Sequence, residues 1–362
     1  MTPQGDSSSL ELSISVIVPV YNGGANFILC LTSLAEAVSP PHEIIVVGDG
    51  DTDGSSELAE EFGASVIRLP TTSGGPALPR NLGARQAHGD ILLFIDADVT
   101  VPHNAMSQVV ETFRSEPNLA ALFGSYDDEP AAPNFLSQYK NLHHHYIHQT
   151  SCEEASTFWG ACGAIRREIF LASGGFDERY RRPSIEDVEL GYRLRRAGYR
   201  LRLCKGLQVK HLKRWNIGSL LRADVLYRAL PWADLILRHR RLINDLNLRF
   251  SARVSVLLTF GFLCSLAVAW RWPGFLLVAG FLILLLLSLN LPLYRFFYHK
   301  RGLWFALRTI PWHFFYYFYS GLSFGLGATL YLLRTCLPCK NSAVARLQTN
   351  DLLEKESRNG RN

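Results

Sequence analysis

Short runs of β-branched and apolar residues alternate with helical patterns through the first hundred residues of the chain. The strand-like runs cover residues 13–20, 43–47, 65–69 and 90–95. Between the first two runs, Phe27, Leu31 and Leu34 recur at helical spacing. Strands that alternate with helices predict an α/β fold, doubly wound around a largely parallel sheet.

Polar side chains follow the predicted strands at the points where the strands end. They are Asn22, Asp49, Asp51, Asp96 and Asp98. In a doubly wound sheet, ligands bind beyond the carboxyl ends of the strands. We therefore expect these side chains to converge on one edge of the sheet and to form the functional site there.

Among these residues, Asp96 and Asp98 give the most specific indication of a site, because they directly follow the apolar run at 91–95. Carboxylate oxygens together with substrate phosphates are the ligands that Mg²⁺ prefers. Both acids can reach one Mg²⁺ or Mn²⁺ ion, or one can hold a ribose while the other holds the metal. Such an ion neutralises the charge that develops on a departing diphosphate.

A second acidic cluster lies on a helix predicted over residues 185–197. Glu189 and Arg193 are spaced as an i,i+4 ion pair, which explains those two residues without any catalytic role. Glu186 and Asp187 at the start of this helix have no such explanation. Asp187 suits a general base that removes a proton from an attacking hydroxyl, and one base implies a single displacement with inversion.

The composition changes in the C-terminal third, where residues 254–333 are mostly apolar and aromatic. Three stretches, 254–270, 272–294 and 310–333, are close to the length that crosses a bilayer. Seven arginines precede them: Arg222, Arg228, Arg238, Arg240, Arg241, Arg249 and Arg253. A Lys/Arg excess beside a span marks the cytoplasmic side, so we expect an integral membrane protein whose catalytic domain faces the cytoplasm. The basic segment 295–308 is expected as a loop on that same side.

The expected organisation is a polar N-terminal tail over 1–12, a catalytic domain over 13–215, a basic amphipathic interfacial segment over 216–252, membrane spans over 253–334 and a polar tail over 335–362. The first residues carry no apolar signal sequence. The net charge of +5 gives no indication of a nucleic acid partner. The seven cysteines include a Cys336–Cys339 pair, and free thiols are expected.

His143, His144, His145 and His148 form a cluster on a predicted helix. His144 and His148 share one face at i,i+4, but a closed metal site needs more ligands than that face provides. We expect a position beside the acceptor or the membrane for this cluster rather than a metal site.

Several motifs occur in a fixed order: Val16-Ile17-Val18-Pro19-Val20-Tyr21-Asn22, the Asp49 loop, Arg80-Asn81-Leu82-Gly83, Asp96-Ala97-Asp98, Gly174-Gly175-Phe176-Asp177-Glu178 and Glu186-Asp187. In this order and over residues 13–211, the chain resembles the family 2 glycosyltransferases. The resemblance implies a GT-A fold and a nucleotide-sugar donor, with a UDP-sugar preferred. The predicted spans and the basic segment before them would place the site at the bilayer surface, so we expect hexosyl transfer to a lipid or lipid-linked acceptor there.

The resemblance also assigns residues. It places the nucleotide-sugar on Pro19, Tyr21, Asp49, Arg80 and Asp96, with the neighbouring Asn22, Asp51 and Asn81 on the same side. It places Mg²⁺ or Mn²⁺ on Asp98, with Asp96 and His211 as further ligands, and gives Asp187 the role of base beside Glu186. Trp159, Gly160 and Ala161 are expected on the acceptor side.

Two alternatives to a non-processive transferase remain open at this point. A processive polysaccharide synthase has a similar architecture, but Lys213-Arg214-Trp215 lacks the Gln that normally precedes Arg-Trp, and three spans are few for a translocation pore. A non-catalytic membrane scaffold on the same fold would not need Asp98 and Asp187 together.

Overall fold

Eight strands form one sheet in residues 12–239 and 243–336, which are the residues that the computed structural model describes. The strands are β1 (Ile14–Val20), β2 (Glu43–Asp49), β3 (Ser65–Leu69), β4 (Ile91–Ile95), β5 (Val99–Thr100), β6 (Leu119–Tyr126), β7 (Cys162–Arg166) and β8 (Arg200–His211). Their order across the sheet is β3-β2-β1-β4-β7-β6-β8-β5. β1 is parallel to β2 and β4, and β7 is antiparallel to both of its neighbours. The predicted α/β class with a mostly parallel sheet is confirmed.

Helices pack on the sheet and separate its strands along the chain. They are α1 (Gly24–Ala35), α2 (Ser55–Glu61), α3 (Ala77–Gln86), α4 (Ala105–Ser115), α5 (Phe135–Thr150), α6 (Arg167–Ala172) and α7 (Glu186–Arg196). Both faces of the sheet are buried. Val16 and Val18 of β1 lie in one apolar core, and Ile17 between them lies in a second core with Phe94. Successive side chains of a strand point to opposite faces, so central strands covered on both sides read as continuous apolar runs.

The longest strand of the sheet is β8, which is continuous over 12 residues and includes both Leu201 and Val209. The register between β6 and β8 shifts between Phe123 and Ser125. This irregularity lets one long strand continue past Gly206.

The segment that follows the catalytic domain is helical almost throughout. It comprises α8 (Ile217–Leu221), a π-helix (Arg222–Ala229) and α9 (Leu230–His239). Pro231 lies in the first turn of α9, directly after the π-helix. A proline removes one N–H group and crowds the preceding turn, and the wider π-turn accommodates that ring.

Three helices form the C-terminal region: α10 (Phe250–Ala269), α11 (Phe275–Leu289) and α12 (Leu291–Cys336). α10 and α11 form an antiparallel hairpin, in which Asn290 Nδ2 at the end of α11 donates to Ser255 Oγ near the start of α10 at 3.0 Å. The basic segment 295–308 is helical within α12 rather than a loop. The chain bends there at Gly302, whose φ of 79° suits glycine.

The expected count of three separate spans is not what these helices provide. In the described residues, α10 alone is long and apolar enough to cross a membrane, and α11 with α12 qualifies only as a pair bent by 56°. The 15 residues of α11 extend only about 22 Å. The third predicted stretch is part of the 46-residue α12. One or two candidate spans therefore replace the expected three.

The basic segment of α12 lies against the catalytic domain. Lys300 pairs with Asp128, and Arg301 Nε donates to Gln138 Oε1 at 2.7 Å. Farther along α12, His313 Nδ1 is 2.7 Å from the hydroxyl of Tyr139 on α5. The predicted N-terminal tail, Arg240 and Arg241 of the basic segment, Cys339 and the C-terminal tail lie outside the described residues, except for residues 12, 335 and 336.

Candidate active site

The carboxyl end of β4 carries the first acid of the predicted site, Asp96. Arg80 of α3 is buried, and its guanidinium donates to Asp96 Oδ1 at 2.6 Å and to Glu186 Oε1 at 2.8 Å. Burial raises the pKa of Asp96, although the charge of Arg80 opposes that shift. Arg80 was predicted to bind the nucleotide. In the structure the guanidinium bridges two carboxylates of the protein itself, and a contact to the nucleotide stays a prediction.

Asp98 and His211 form the pair predicted for a divalent ion. His211 Nε2 is 3.4 Å from Asp98 Oδ2, and His211 Nδ1 is 3.1 Å from the side-chain oxygen of Asn141. The ring of Tyr126 stacks on the imidazole with centroids 4.7 Å apart. Burial alone would raise the pKa of Asp98, but His211 and Lys213 lower it below its ordinary value.

This pair fits a metal ion that is shared with a substrate. In the described part of the chain, no group of three or more His, Cys, Asp or Glu side chains could hold a metal by itself. A hard divalent ion commonly takes one or two protein ligands and completes its shell with phosphate oxygens and water. Asp98 and His211 can supply the protein ligands. Arg80 bonds only Oδ1 of Asp96, so Oδ2 can serve as a third ligand.

The end of β1 presents the residues expected to contact the nucleotide. Pro19 is half-buried, whereas Tyr21 is 56% exposed and offers its ring to a planar base. Asn22 adopts a φ of 51°, and its side-chain oxygen accepts a hydrogen bond from Thr52 N at 2.8 Å. This bond connects the end of β1 to the loop that follows β2.

Asp49 at the end of β2 is buried and already holds a loop. Its two oxygens accept hydrogen bonds from Ser73 N at 2.7 Å and from the Thr72 hydroxyl at 3.0 Å. Each oxygen retains a free lone pair, so a contact to the nucleotide stays a prediction.

Asp51 and Asn81 were also predicted on the side of the nucleotide-sugar, and in the structure both are bonded to the protein itself. Asp51 accepts from both the amide (2.9 Å) and the hydroxyl (2.8 Å) of Ser56, and so it stabilises the first turn of α2. Asn81 is buried. Its Nδ2 donates to Phe176 O at 2.8 Å and to Glu178 Oε1 at 2.9 Å, and its Oδ1 accepts from Phe176 N at 2.8 Å. Its hydrogen bonds anchor the Gly174-Gly175-Phe176 loop and leave no donor for a ligand.

The first turn of α7 positions the predicted base. Asp187 Oδ2 accepts a hydrogen bond from Gly160 N at 3.0 Å, and Oδ1 accepts from Val188 N at 2.7 Å. Burial and then the adjacent charge of Glu186 raise the pKa of Asp187 to about 6. A carboxylate with this pKa is half ionised at about pH 6 and mostly ionised at neutral pH, where it can accept a proton.

Glu186 makes different contacts from the neighbouring Asp187. It is buried, and its carboxylate accepts from Arg80 and from Ser184 N at 3.0 Å. Glu186 therefore holds Arg80 and the start of α7 in place, and its grouping with the catalytic residues stays a prediction.

Trp159, Gly160 and Ala161 connect the metal side to the base. The Trp159 ring lies 4.8 Å from the ring of Tyr126, and Ala161 O accepts a hydrogen bond from Asp96 N at 3.3 Å. A Cβ atom at Gly160 would lie 2.8 Å from the guanidinium carbon of Arg80. Only glycine fits between Arg80 and Asp187 at this point.

A cavity of about 240 Å³ opens beside Asp187 and Trp159. One wall comes from α5, including three residues of the histidine cluster, His143, His144 and His148. Burial lowers the pKa of His143 and of His148 to about 3, so both imidazoles are neutral at physiological pH. His148 Nδ1 lies 3.2 Å from Gly124 O, which fits anchoring of α5 to β6 rather than metal binding.

The opposite wall of the cavity comes from the helices outside the α/β domain. It includes Asp224 and Arg228 of the π-helix and Tyr316, Ser320 and Phe324 of α12. Neither this cavity nor the support that Tyr126 and Asn141 give to His211 was predicted from the sequence. The helical spacing of the three α12 residues was visible in the sequence, but the surface they face was not.

Comparison with known proteins agrees with this geometry. Residues 15–173 match the family model described as Glycosyl transferase family 2. The chain is 39% identical over 93 residues to the poly(ribitol-phosphate) beta-N-acetylglucosaminyltransferase TarS of Staphylococcus aureus, covering 24% of this chain and 16% of that protein. It is 30% identical over 178 residues to an uncharacterised glycosyltransferase of Haemophilus influenzae, covering 49% of this chain and 60% of that one.

A solved structure extends the likeness beyond the α/β domain. A mannosyltransferase of Pyrobaculum calidifontis, solved in complex with GDP-Man and Mn²⁺, superposes with a TM-score of 0.53 at 16% identity, covering 89% of this chain and 87% of that one. This likeness concerns the fold alone. The chain covers less than two thirds of the length of the two curated relatives described above. Residues 15–173 of the α/β domain thus match glycosyl transferase family 2, and the domain has the GT-A fold.

Proposed function

We propose that this protein transfers a sugar from a nucleotide-sugar to a hydroxyl group of a lipid or lipid-linked acceptor, with inversion at the anomeric carbon. The observation that supports the proposal most is the position of Asp187. It lines a cavity, carries a raised pKa of about 6 and bonds to Gly160 N, one residue before the Ala161 carbonyl that accepts from Asp96 N.

The chemistry is a single displacement. The acceptor oxygen attacks the anomeric carbon, the bond from that carbon to the diphosphate oxygen breaks, and Asp187 takes the hydroxyl proton. Gly160 N and Val188 N hold the carboxylate in one orientation. A positioned carboxylate base contributes typically ~10²–10⁴-fold in rate.

The departing nucleoside diphosphate accounts for the other acids. Asp98 and His211, with the free oxygen of Asp96, would hold Mg²⁺ or Mn²⁺, and this ion would neutralise charge on the diphosphate. The exposed ring of Tyr21 offers a surface for the base. TarS is named as an N-acetylglucosaminyltransferase, and this relative favours a UDP-sugar for the present chain.

The C-terminal helices support the membrane part of the proposal. Leu257 of α10, Leu277 of α11 and Trp304 of α12 are each at least 72% exposed. Apolar surface of this extent, on helices that include a candidate span, is expected to face lipid. The arginines before α10 favour a catalytic domain on the cytoplasmic face.

Nucleotide release by the detergent-purified protein tests this proposal. A panel of UDP-, GDP- and dTDP-sugars is supplied with a total lipid extract and with Mn²⁺, Mg²⁺ or EDTA. We expect lipid-dependent release from one donor class, abolished by EDTA. Asp98→Asn should lower release about 100-fold or more, because charge stabilisation at the leaving group is lost.

Glu57→Gln serves as the matched control, since that carboxylate is 66% exposed on α2 away from the site. It should release nucleotide like the wild type. Release that is unaffected by EDTA and by Asp98→Asn would remove the metal from the proposal. If no donor is turned over and no nucleotide binds, the protein is not a glycosyltransferase.

A further inference from the structure

The π-helix Arg222–Ala229 borders the cavity beside Asp187. Asp224, Arg228 and Ala229 all contribute to its wall. π-helical turns are less stable than α-helical turns and are found most often at functional sites. The unusual backbone therefore places charged side chains of the helical region next to the base of the catalytic domain.

The two charged residues on this wall, Asp224 and Arg228, differ in how fully they are paired. Lys140 Nζ donates to Asp224 Oδ1 at 2.6 Å, and the Tyr319 hydroxyl donates to Asp224 Oδ2 at 2.8 Å. Both oxygens of Asp224 are therefore occupied. Arg228 Nη1 lies 3.9 Å from Asp224 Oδ1, too far for a hydrogen bond, and its side chain is 43% exposed.

Arg228 is thus the cation with unused hydrogen-bonding capacity at this cavity. Across residues 12–239 and 243–336, no carboxylate other than Asp224 comes within 4 Å of it. Its guanidinium presents five N–H donors in a planar arrangement that matches the oxygens of a phosphate group. The neighbouring imidazoles of His143 and His148 are neutral and do not compete for an anion.

The remaining walls of the cavity indicate which other chemical groups a bound molecule would carry. Asp187 and Trp159 mark the end where a hydroxyl group is activated. Tyr316, Ser320 and Phe324 follow one another at i, i+4 and i+8, so they form one face of α12. That face belongs to the region whose outer surface is apolar. An occupant that contacts all three walls carries a hydroxyl, an anion and an apolar chain.

From this arrangement we infer that the cavity is the acceptor site and that Arg228 binds a phosphate-ester group of a lipid acceptor. This inference rests on the proposed function, since it names the acceptor of the same reaction. The phosphate is held as a recognition group, while a hydroxyl elsewhere on the acceptor attacks the sugar. The volume of about 240 Å³ suits an acceptor head group, with the lipid chain passing along α12.

Equilibrium binding of radiolabelled dodecyl phosphate to the full chain in dodecyl maltoside micelles tests the inference. Arg228→Gln should weaken binding about tenfold or more, because a charge-assisted hydrogen bond is lost. Arg228→Lys should weaken it less. Arg222→Gln removes the same charge from an exposed position of the same π-helix and should bind like the wild type. Unlabelled inorganic phosphate and dodecanol are the competitors, and neither should displace the probe as dodecyl phosphate does.

Equal binding by Arg228→Gln and the wild type would overturn the inference. An equal loss in Arg222→Gln would also overturn it, since attraction to the basic surface would then explain binding. Effective competition by inorganic phosphate would identify a site for the free anion instead of a lipid. The probe is bound without any donor, so a failure of nucleotide release would refute the proposed function separately from the role of Arg228.

Discussion

At Asp187, burial and a neighbouring carboxylate act in the same direction. Both favour the protonated form and raise the pKa to about 6, against the hydrogen bonds from Gly160 N and Val188 N. The base is competent only when ionised. We therefore expect kcat/KM to fall tenfold per pH unit below about pH 6 and to level off above it.

The pH profile is measured with saturating metal, and nucleotide binding is followed over the same range as the control. Nucleotide binding should change less than kcat/KM between pH 5 and 7. A profile that stays flat down to pH 4.5 would contradict the assignment of Asp187 as the base.

Arg80 is the residue whose loss should cost the most stability at the site. Arg80→Ala leaves two carboxylates near each other with no cation, and removal of one partner from a buried ion pair costs about 3–5 kcal/mol. Arg85→Ala on the same helix removes an arginine that is 54% exposed and 3.8 Å from Glu178. That control should change the free energy of unfolding by less than about 1 kcal/mol. Urea denaturation in detergent measures both, and equal effects would show that the buried network is not stabilising.

Among the elements, α7 depends on a close approach to the loop before β7. A Cβ atom at Gly191 would overlap the backbone of Thr157 and Phe158. Gly191 lies one turn after Asp187, and the same loop supplies Gly160 N to the Asp187 carboxylate. Gly191→Ala should therefore displace the base, lower the free energy of unfolding by about 1–3 kcal/mol and reduce transfer.

Gly206→Ala is the matched control, because a Cβ there meets only the flexible end of Gln108 at 3.9 Å. Thermal unfolding and nucleotide release are measured for both variants. Unchanged release in Gly191→Ala would show that the position of α7 does not govern the site.

The strands and helices were predictable because they depend on local patterns. β4 is a continuous apolar run, and its end positions Asp96 and Asp98 without any distant contact. The role of Arg80 was not predictable, because its partners lie 16 and 106 residues away and no local pattern links them. The cavity was also missed, since it depends on how α12 and the π-helix pack against the α/β domain.

For the whole molecule, the apolar surface of α10 and α11 predicts firm attachment to membranes. The protein expressed in cells should remain in the membrane pellet after an alkaline carbonate wash and should be released by detergent. A peripheral protein held only by its arginines would leave the membrane at high salt or in carbonate, because surface electrostatics are screened or lost. Recovery in the carbonate supernatant would refute the membrane proposal and leave the catalytic proposal standing.

The α/β domain and the C-terminal helices meet at the cavity that Asp187 lines, so transfer of labelled sugar to lipid tests the central claim most directly. Radiolabelled donor is incubated with the full chain and a lipid extract, and label in the lipid fraction is counted for wild type and Asp187→Asn. We predict incorporation by the wild type and a fall of about 10²–10⁴-fold in the variant, with nucleotide binding retained. Incorporation by Asp187→Asn at the wild-type rate would contradict this account.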